Sequence, residues 1–392
     1  MNRNAVVAVL VAAMLGVSLV AAAGAGASSA ESSATTQSET YAGSHLEFET
    51  SGSALTNYAV GGETLFSSVA VDSRSNAGVG AGIDLGAVVN LEGAGLSVSA
   101  ESQTKTRIES ESGATLSAHD NERGILVVRA GGDAQVVEAQ LGENVQASAE
   151  GDGERVVVEG GDRNGVFLVI GDGDVTVNEE GNVAASLEGE STLVFRSYGD
   201  GERTDETKGE EQLIADGSAA AEVYVEQRDG ETVADAVTYG EDLTLEAKQE
   251  SERRVDVTVD RAIEEGTIVM TTVEEETVGT LEELEVRVDG EAAAQASSHS
   301  ELESAIGSEE SAYMVRQHAE ADATATVYVA FNHFSERTAS IDGSGAEDGT
   351  DDDATADDDS GSSAESDGLP GFGALAALLG LLGTGVVSRL RR

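Results

Sequence analysis

The chain has 392 residues, a length that accommodates one large or two medium-sized domains. It contains 22 basic and 74 acidic residues and has a formal charge of −52, which excludes nucleic acid as an expected partner and disfavours anionic membrane surfaces. Because the chain has no cysteine, a disulfide framework, thiol catalysis and thiolate metal sites are excluded.

The first 27 residues have the pattern of a secretory signal peptide. Arg3 follows the amino terminus, and residues 5–20 form an uncharged apolar run. Small residues come next, with Ala25 and Ala27 at the A-x-A spacing that signal peptidase accepts. We therefore expect cleavage after Ala27 and secretion by the general route, with residues 28–45 as a linker. An uncleaved anchor helix is the alternative interpretation.

The charge of the next segment has two interpretations. Residues 28–341 contain 63 acidic and 18 basic residues, an excess that is typical of a disordered chain or of a folded domain adapted to high salt. At molar salt the Debye length is about 3 Å, so surface carboxylates repel one another only weakly. The scarcity of lysine, present here only at 105, 208 and 248, and a strong hydrophobic alternation favour the salt-adapted domain. We expect this domain to unfold in dilute buffer.

Alternation of apolar and polar residues predicts a mainly β fold, built from stacked hairpins or Greek-key sandwiches. The alternation is clearest over residues 222–226, 254–259, 284–288 and 323–331, and turn residues such as Asp229-Gly230 separate the strands. We expect a β-rich body over residues 46–262 and a smaller β-rich subdomain over residues 263–341. A further strand is expected over residues 313–318.

One short helix and one internal repeat are also predicted. The capping-box pattern Ser300-Glu301-Leu302-Glu303 indicates a helix near Ala305. Residues 142–163 and 240–261 share a Gly-led turn, a charged turn and an arginine at matching positions, which predicts two hairpin units. Their similarity is either a duplication or chance resemblance between acidic hairpins.

No pattern for catalysis or for a cofactor stands out. None of the five histidines (45, 119, 299, 318 and 333) begins a zinc motif, although His318 and His333 are expected on adjacent strands and could approach each other. The turns at residues 151–154 and 171–174 offer oxygen ligands for calcium, but solvated turns are the preferred interpretation. We therefore assign no catalytic residue, no metal site and no cofactor, and expect a protein that is not an enzyme.

The carboxyl end has an acidic segment followed by an apolar one. Residues 342–368 contain 11 acids and no base, which predicts a disordered, extended stalk. Residues 369–387 carry no charge, and as a helix they span about 28 Å, close to the thickness of a bilayer core. Arg389, Arg391 and Arg392 follow and favour a cytoplasmic carboxyl end, with the acidic domain outside.

The tripeptide Pro370-Gly371-Phe372 lies at the start of the apolar segment, directly after the acidic stalk, and the terminal arginines follow the segment. This arrangement, over about the last 50 residues, resembles the PGF-CTERM sorting signal of surface proteins from halophilic archaea. The resemblance implies that these three residues are recognised by an archaeosortase, that the apolar helix is removed and that a lipid is attached near the cut. The alternative is a permanent single-pass anchor.

These features lead to one functional hypothesis and two rivals. We expect a secreted, salt-adapted structural or interaction protein of the cell surface, held at the membrane by its carboxyl end and associated with a surface layer. Its processing partners would be signal peptidase and an archaeosortase. A surface module that binds an ion or another ligand through its Asp/Gly turns, on a permanent anchor, is the first rival, and a surface hydrolase is the second.

Overall fold

The computed structural model describes residues 39–343, except 79, 81–83, 152, 200, 282, 319–322 and 334–335. The predicted signal peptide with Ala25 and Ala27 lies outside the described residues. So do the tripeptide Pro370-Gly371-Phe372, the apolar segment and all but the first two residues of the predicted stalk. Within the described part of the chain, no helix is long and apolar enough to cross a membrane.

Residues 40–199 form a first sandwich of two antiparallel sheets. Sheet A has the strand order β1-β2-β3-β4-β9-β14-β13, and sheet B has the order β10-β11-β12-β15-β8-β7-β6-β5. A short 3₁₀ helix, Leu85–Ala87, lies between β4 and β5. The strands in chain order are β1 (Thr40–Ala42), β2 (Leu46–Thr50), β3 (Ala54–Val60), β4 (Glu63–Ser73), β5 (Leu96–Ala100), β6 (Lys105–Ser110), β7 (Thr115–His119), β8 (Leu126–Arg129), β9 (Gln135–Leu141), β10 (Gln146–Glu150), β11 (Arg155–Glu159), β12 (Arg163–Ile170), β13 (Gly173–Val177), β14 (Val183–Leu187) and β15 (Thr192–Gly199).

Residues 219–343 form a second sandwich, which α1 (Asp205–Ala215) precedes. Sheet C has the order β17-β16-β20-β25-β24-β23, with parallel pairing of β16 with β20 and of β23 with β24. Sheet D has the order β18-β19-β26-β21-β22. The elements are β16 (Ala219–Arg228), β17 (Glu231–Thr238), β18 (Leu243–Ser251), β19 (Arg254–Arg261), β20 (Glu265–Glu274), α2 (Glu275–Val278), β21 (Leu284–Val288), β22 (Glu291–Ala292), β23 (Ala294–Gln295), α3 (His299–Ala305), β24 (Ala312–Gln317), β25 (Thr324–His333) and β26 (Arg337–Gly343).

Each sandwich has its own apolar core, and a third core joins the two. Sheets A and B enclose a core in which the rings of Phe66 and Phe195 meet edge to face, with centroids 4.7 Å apart. Sheets C and D enclose a second core rich in valine. The outer face of sheet B packs against the outer face of sheet C, with α1 and α3 between them. We call this contact the junction; it places the four sheets in the layer order A-B-C-D.

The period-two patterns correspond to real strands. β21 coincides with the predicted residues 284–288, and its side chains alternate between buried and exposed. The hairpin that joins β16 to β17 has the two-residue loop Asp229-Gly230, with φ values of 53° and 82°. Both angles lie in the left-handed region that a type I′ turn requires, which explains the Asp-Gly sequence at this position. The prediction of a mainly β protein is confirmed.

The helix content differs from the prediction. Among the described residues there are three α-helices, where the sequence analysis predicted one for this part of the chain. The predicted helix exists as α3, but its amino-terminal cap is Ser298, whose hydroxyl accepts the Glu301 N–H at 3.3 Å. The expectation that the helix begins with a cap at Ser300 is therefore wrong. The Glu301 carboxylate reaches back to the Ser297 N–H at 2.7 Å, so the reciprocal bonding of a capping box begins upstream of Ser300.

Both predicted hairpin units form hairpins. β10 pairs with β11 at the edge of sheet B, and β18 pairs with β19 at the edge of sheet D.

The proposed division at residue 262 falls inside the second sandwich, because β19 pairs with β26 and β16 pairs with β20. β1 lies within the segment assigned to the linker, and β26 continues into the first two residues of the predicted stalk.

Candidate functional site: the polar junction

Buried charged residues are concentrated in the junction between the two sandwiches. Arg196 lies at its centre, with two glutamates and four tyrosines around it. All seven side chains come from residues that are at most 4% exposed. We call them the Arg196 cluster: Arg196, Tyr198, Glu210, Glu222, Tyr224, Tyr239 and Tyr328.

One guanidinium joins three elements. Arg196, on β15 of sheet B, places its Nη2 3.1 Å from Glu210 Oε2 on α1 and 2.9 Å from Glu222 Oε2 on β16. Its Nη1 donates to the Tyr198 hydroxyl at 3.2 Å. Because both carboxylates depend on the same cation, the cluster couples sheet B, α1 and sheet C.

Tyrosine hydroxyls also donate to the carboxylates of both glutamates. Tyr224 donates to Glu222 Oε2 at 2.6 Å, and Tyr239 donates to Glu222 Oε1. Tyr328 donates to Glu210 Oε1 at 2.5 Å. All four carboxylate oxygens therefore accept hydrogen bonds, which is the condition under which buried charges are tolerated.

These contacts shift the pKa values of the groups involved. Burial opposes ionisation of Glu210, but Arg196, Arg123 and the bond from Tyr328 outweigh it and hold the pKa of this carboxyl below its usual value. Burial, reinforced by the neighbouring carboxylate, raises the pKa values of Tyr224, Tyr239 and Tyr328 well above 10. The cluster therefore holds an ionised Glu210 and neutral tyrosines over the physiological pH range.

A buried histidine and aspartate form a second polar contact across the junction. His119 Nδ1, at the end of β7, lies 3.1 Å from Asp235 Oδ1 on β17, and Asn121 Nδ2 donates to Asp235 Oδ2 at 2.7 Å. Burial alone would raise the pKa of Asp235, but His119 and the hydrogen bonds lower it. Both side chains are 1% exposed, so this pair fastens the two sandwiches and cannot contact a dissolved substrate.

Asp120 forms a third polar contact that also links the two sandwiches. Its carboxylate accepts from the backbone N–H groups of Ser44, His45 and Leu46 at 2.7–2.9 Å, and from Arg228 Nη1 at 2.8 Å. His45 Nε2 lies 2.9 Å from the Glu226 carboxylate, which also binds Arg228. The bond with Glu226 raises the pKa of His45 above its usual 6.5. This contact is at the rim of the junction, since the His45 side chain is 33% exposed.

Two clefts lie away from the junction. The larger, about 650 Å³, is lined by polar side chains that include Asp72, Asn76, Asp84 and Glu92. The smaller, about 560 Å³, lies at the end of the second sandwich beside Gln249 and Arg253. In the larger cleft Asp72 Oδ1 already accepts from the Ser73 N–H and from Asn76, so this carboxylate is engaged within the protein.

The expectation that His318 and His333 could approach each other is wrong. His318 lies just beyond β24 and donates its N–H to Thr324 O, whereas His333 pairs with Glu265 at the other end of β25. At 3.3 Å per residue, the run from Thr324 to His333 is about 30 Å long. Antiparallel pairing of β24 with β25 places the two histidines at opposite ends of the sheet.

The two turns considered for calcium lie next to each other. The Val175 N–H, which follows the turn at 171–174, donates to Gly153 O at 2.7 Å, and the Val169 N–H donates to Glu154 O. Among the residues that the structure describes, however, no group of three or more acidic or histidine side chains is arranged to hold a metal ion. The adjacent turns thus form a loop contact at one end of the first sandwich.

The sequence analysis missed α1 and the acids that it buries. Thr204 caps this helix, Asp205 and Glu206 occupy its first turn, and Gly217 follows its end with a φ of 76°. These are ordinary start and stop signals. Glu211 is fully buried between Arg203 and Arg155. The acidic sequence of α1 therefore resembles a solvated loop, although the segment is a packed helix.

Comparison with known proteins assigns no family. No family model matches the chain, and no curated protein matches it. Among solved structures, a glycoside hydrolase family 81 protein from Clostridium thermocellum aligns with a TM-score of 0.36 and 9% identity. The alignment covers 76% of this chain and 34% of that chain. A similarity this weak assigns neither a fold family nor an activity.

Proposed function

We propose that the protein is a secreted, salt-adapted structural or interaction protein of the cell surface, anchored to the membrane by its carboxyl end. The anchoring is inferred from the sequence around Pro370-Gly371-Phe372. An acidic segment precedes this tripeptide, which lies at the start of 19 uncharged residues, and arginines follow at the carboxyl end. The span matches the thickness of a bilayer core, and the arginines keep the carboxyl end inside.

The construction of the two sandwiches supports a structural or binding role. A buried ion-pair cluster, a buried histidine–aspartate pair and an apolar core hold sheet B against sheet C. Buried charges are screened far less by salt than exposed ones, so this fastening persists at molar ionic strength. A body of this kind holds a fixed geometry at the membrane surface, which is what a stalked surface protein requires.

The charge distribution supports adaptation to high salt. Basic side chains of the described residues are mostly tied to carboxylates of the same chain, as in the pairs of Arg74 with Glu188 and of Arg261 with Asp242. Acids outnumber bases in this part of the chain, and surface carboxylates of the described residues that have no basic partner repel one another unless salt screens them. Folding in molar salt and unfolding in dilute buffer follow from this imbalance.

A variant of the sorting tripeptide tests the proposal. Pro370→Ala, Gly371→Ala and Phe372→Ala are combined, and the intact mass of the membrane-bound protein is compared with that of a control carrying Gly383→Ala and Thr384→Ala. We expect the tripeptide variant to retain residues 369–392 and the control to lose them. Loss of the tail from both variants would contradict recognition of the tripeptide. Retention of the tail in both variants and in the unaltered protein would establish a permanent anchor.

A further inference from the structure

Three polar side chains meet where the edge strands of sheets C and D approach each other. Thr232 lies on β17 at the edge of sheet C, and Gln249 lies on β18 at the edge of sheet D. The Thr232 hydroxyl donates to Gln249 Oε1 and accepts from Gln227 Nε2 at 2.8 Å. The Gln249 amide nitrogen donates to Thr277 O at 2.9 Å. Bonds at both ends of the Gln249 amide therefore hold it against an alcohol.

The strand geometry places these side chains. Thr232 pairs with Gln227 across the β16–β17 hairpin, so both project from the same face of sheet C. On β18 the pairing with β19 shifts between Gln249 and Ser251, where two residues of β18 advance against one of β19. This is a β-bulge, a feature that re-aims side chains and is common beside functional sites. It occurs at the residue whose amide accepts the hydroxyl.

The amide borders the smaller of the two clefts. Gln227, Gln249 and Glu276 are among the residues that line this space of about 560 Å³. A second carboxyl, that of Glu274, accepts from the Gln227 N–H at 2.7 Å, and burial raises its pKa above the usual value. Carboxyls placed and tuned in this way can transfer protons near neutral pH. The cleft also gives a small molecule released from the amide a way out to solvent.

The Thr232 oxygen lies within attacking distance of the Gln249 amide carbon. A hydroxyl–carbonyl hydrogen bond spans about 2.5–3.0 Å and the C=O bond about 1.2 Å, so Oγ and Cδ are about 3–4 Å apart. Reacting groups held about 3–3.5 Å apart in a suitable orientation have effective molarities of up to about 10⁸ M. The terminal torsion of a glutamine is broad, so a small rotation turns the face of the amide towards the hydroxyl. The hydrogen bond also polarises the carbonyl, which favours attack at this carbon.

We propose that Thr232 and Gln249 form an ester that cross-links sheets C and D. The Thr232 Oγ forms a bond to Gln249 Cδ, the Cδ–Nε2 bond breaks, and the hydroxyl proton leaves with the nitrogen as ammonia. The reaction needs no oxidant, reductant or co-reactant, and escape of ammonia opposes its reversal. Gln227 orients the hydroxyl through its bond to Oγ, and Glu276 can carry the proton from oxygen to nitrogen.

The cross-link gives the body a covalent tie of a kind that cysteine cannot provide here. The chain has no cysteine, so no disulfide joins the two sheets. An ester between residues 232 and 249 closes a loop of the unfolded chain, which is how a disulfide stabilises a fold in the chain-entropy model. β26 ends beside the same cleft, since the Gly343 N–H donates to Arg253 O and Arg253 lines the cleft. Under the proposed anchoring a pull from the membrane reaches the body at this end, although the cross-link itself does not rest on that anchoring.

The mass of one peptide tests the proposal directly. Cleavage at arginine releases residues 229–253 as a single peptide, because no arginine lies between Arg228 and Arg253. The full chain is extracted from its native cells in molar salt, then denatured and digested in mild acid, in which esters are stable. We expect this peptide to be about 17 Da lighter than its sequence predicts, which is the mass of one ammonia. A peptide of full sequence mass from the unaltered chain would overturn the proposal.

A second cut identifies the bond. Cleavage after Lys248 separates Thr232 from Gln249 in an unlinked peptide, whereas linked fragments stay together. Hydroxylamine cleaves esters and leaves amides intact, so it should release the two fragments. Fragments that separate before this treatment, or stay joined after it, would contradict an ester. These readings use the unaltered chain and so do not require that any variant folds.

Variants assign the bond to the two residues. Thr232→Val removes the hydroxyl and should restore the full peptide mass, whereas Thr232→Ser keeps a hydroxyl and should retain the loss. Thr244→Val is the matched control, since Thr244 is exposed on β18 within the same peptide and should leave the loss of about 17 Da unchanged. A loss that persists in Thr232→Val, or disappears in Thr244→Val, would contradict the assignment. No reading depends on how the carboxyl end is anchored, so failure here leaves the proposed function intact.

Discussion

Removal of the Arg196 guanidinium is the perturbation whose effect the structure defines best. In an Arg196→Met variant, Glu210 and Glu222 would stay buried, at 2% and 3% exposure, without the cation that lies 3.1 Å and 2.9 Å from them. Breaking a buried ion pair costs about 3–5 kcal/mol because it leaves an uncompensated charge. Three tyrosine bonds still support the carboxylates, so we expect a loss in this range and not a larger one.

Urea unfolding at a fixed molar salt concentration, followed by far-UV circular dichroism, measures this loss. With an m-value of about 2–3 kcal/mol/M, the midpoint should fall by about 1–2.5 M. Because the charges are buried, the loss should change little between 1 and 4 M salt. The deficit should shrink in acid, since carboxylates without a cation have raised pKa values and become neutral at a smaller cost.

Two control variants make the result interpretable. A triple variant with Arg196→Met, Glu210→Gln and Glu222→Gln removes the buried charge altogether and should recover at least half of the loss. Arg287→Met removes an exposed pair with Glu285, 3.7 Å apart, and should change the free energy of unfolding by less than about 0.5 kcal/mol. A loss below about 1 kcal/mol in Arg196→Met, or a triple variant no more stable than the single one, would refute the reasoning.

Three further predictions concern pH and salt. Six of the seven tyrosines have raised pKa values, so their stabilisation is present below pH 10 and lost above it, by about 1.4 kcal/mol per pH unit for each tyrosine. Absorbance at 295 nm should show these six tyrosines ionising only with unfolding; their separate, gradual ionisation in the folded protein would contradict burial. The raised pKa of His45 means that its bond to Glu226 stabilises the fold below pH 6.5 and weakens as the pH rises through the folded pKa. A His45→Gln variant should lose this part of the pH dependence of the melting temperature, and an unchanged profile would exclude the pair as its source. Circular dichroism should show loss of β structure when salt falls from molar to 50 mM, whereas an unchanged spectrum would contradict salt adaptation.

The sequence predicted strands well where one face is exposed, because alternation then reports the two faces directly. In β21 the alternation matched the strand to the residue. In β16 the alternation placed Glu222, Tyr224 and Glu226 on one face of the strand. It did not indicate which part of the protein covers that face. That face packs against sheet B, so Glu222 is buried although its pattern is typical of a solvated position.

The candidate site could not be predicted for a related reason. A glutamate is expected at the surface unless its partner is known, and the partner of Glu210 is Arg196, on another element of a different layer. Single-sequence patterns report local periodicity and not such pairings. The same limitation concealed α1, whose buried face contains Glu210 and Glu211 in place of apolar residues. The capping residue and the following glycine were the local signals that could have identified this helix.

The intact mass of the unaltered protein, extracted from its native membrane, tests the central claim most directly. The proposed function predicts loss of residues 1–27 and of the tail near Pro370, together with added mass from a lipid. A mass that includes residues 369–392 and no lipid would contradict processing, and would make the protein a permanently anchored single-pass surface protein.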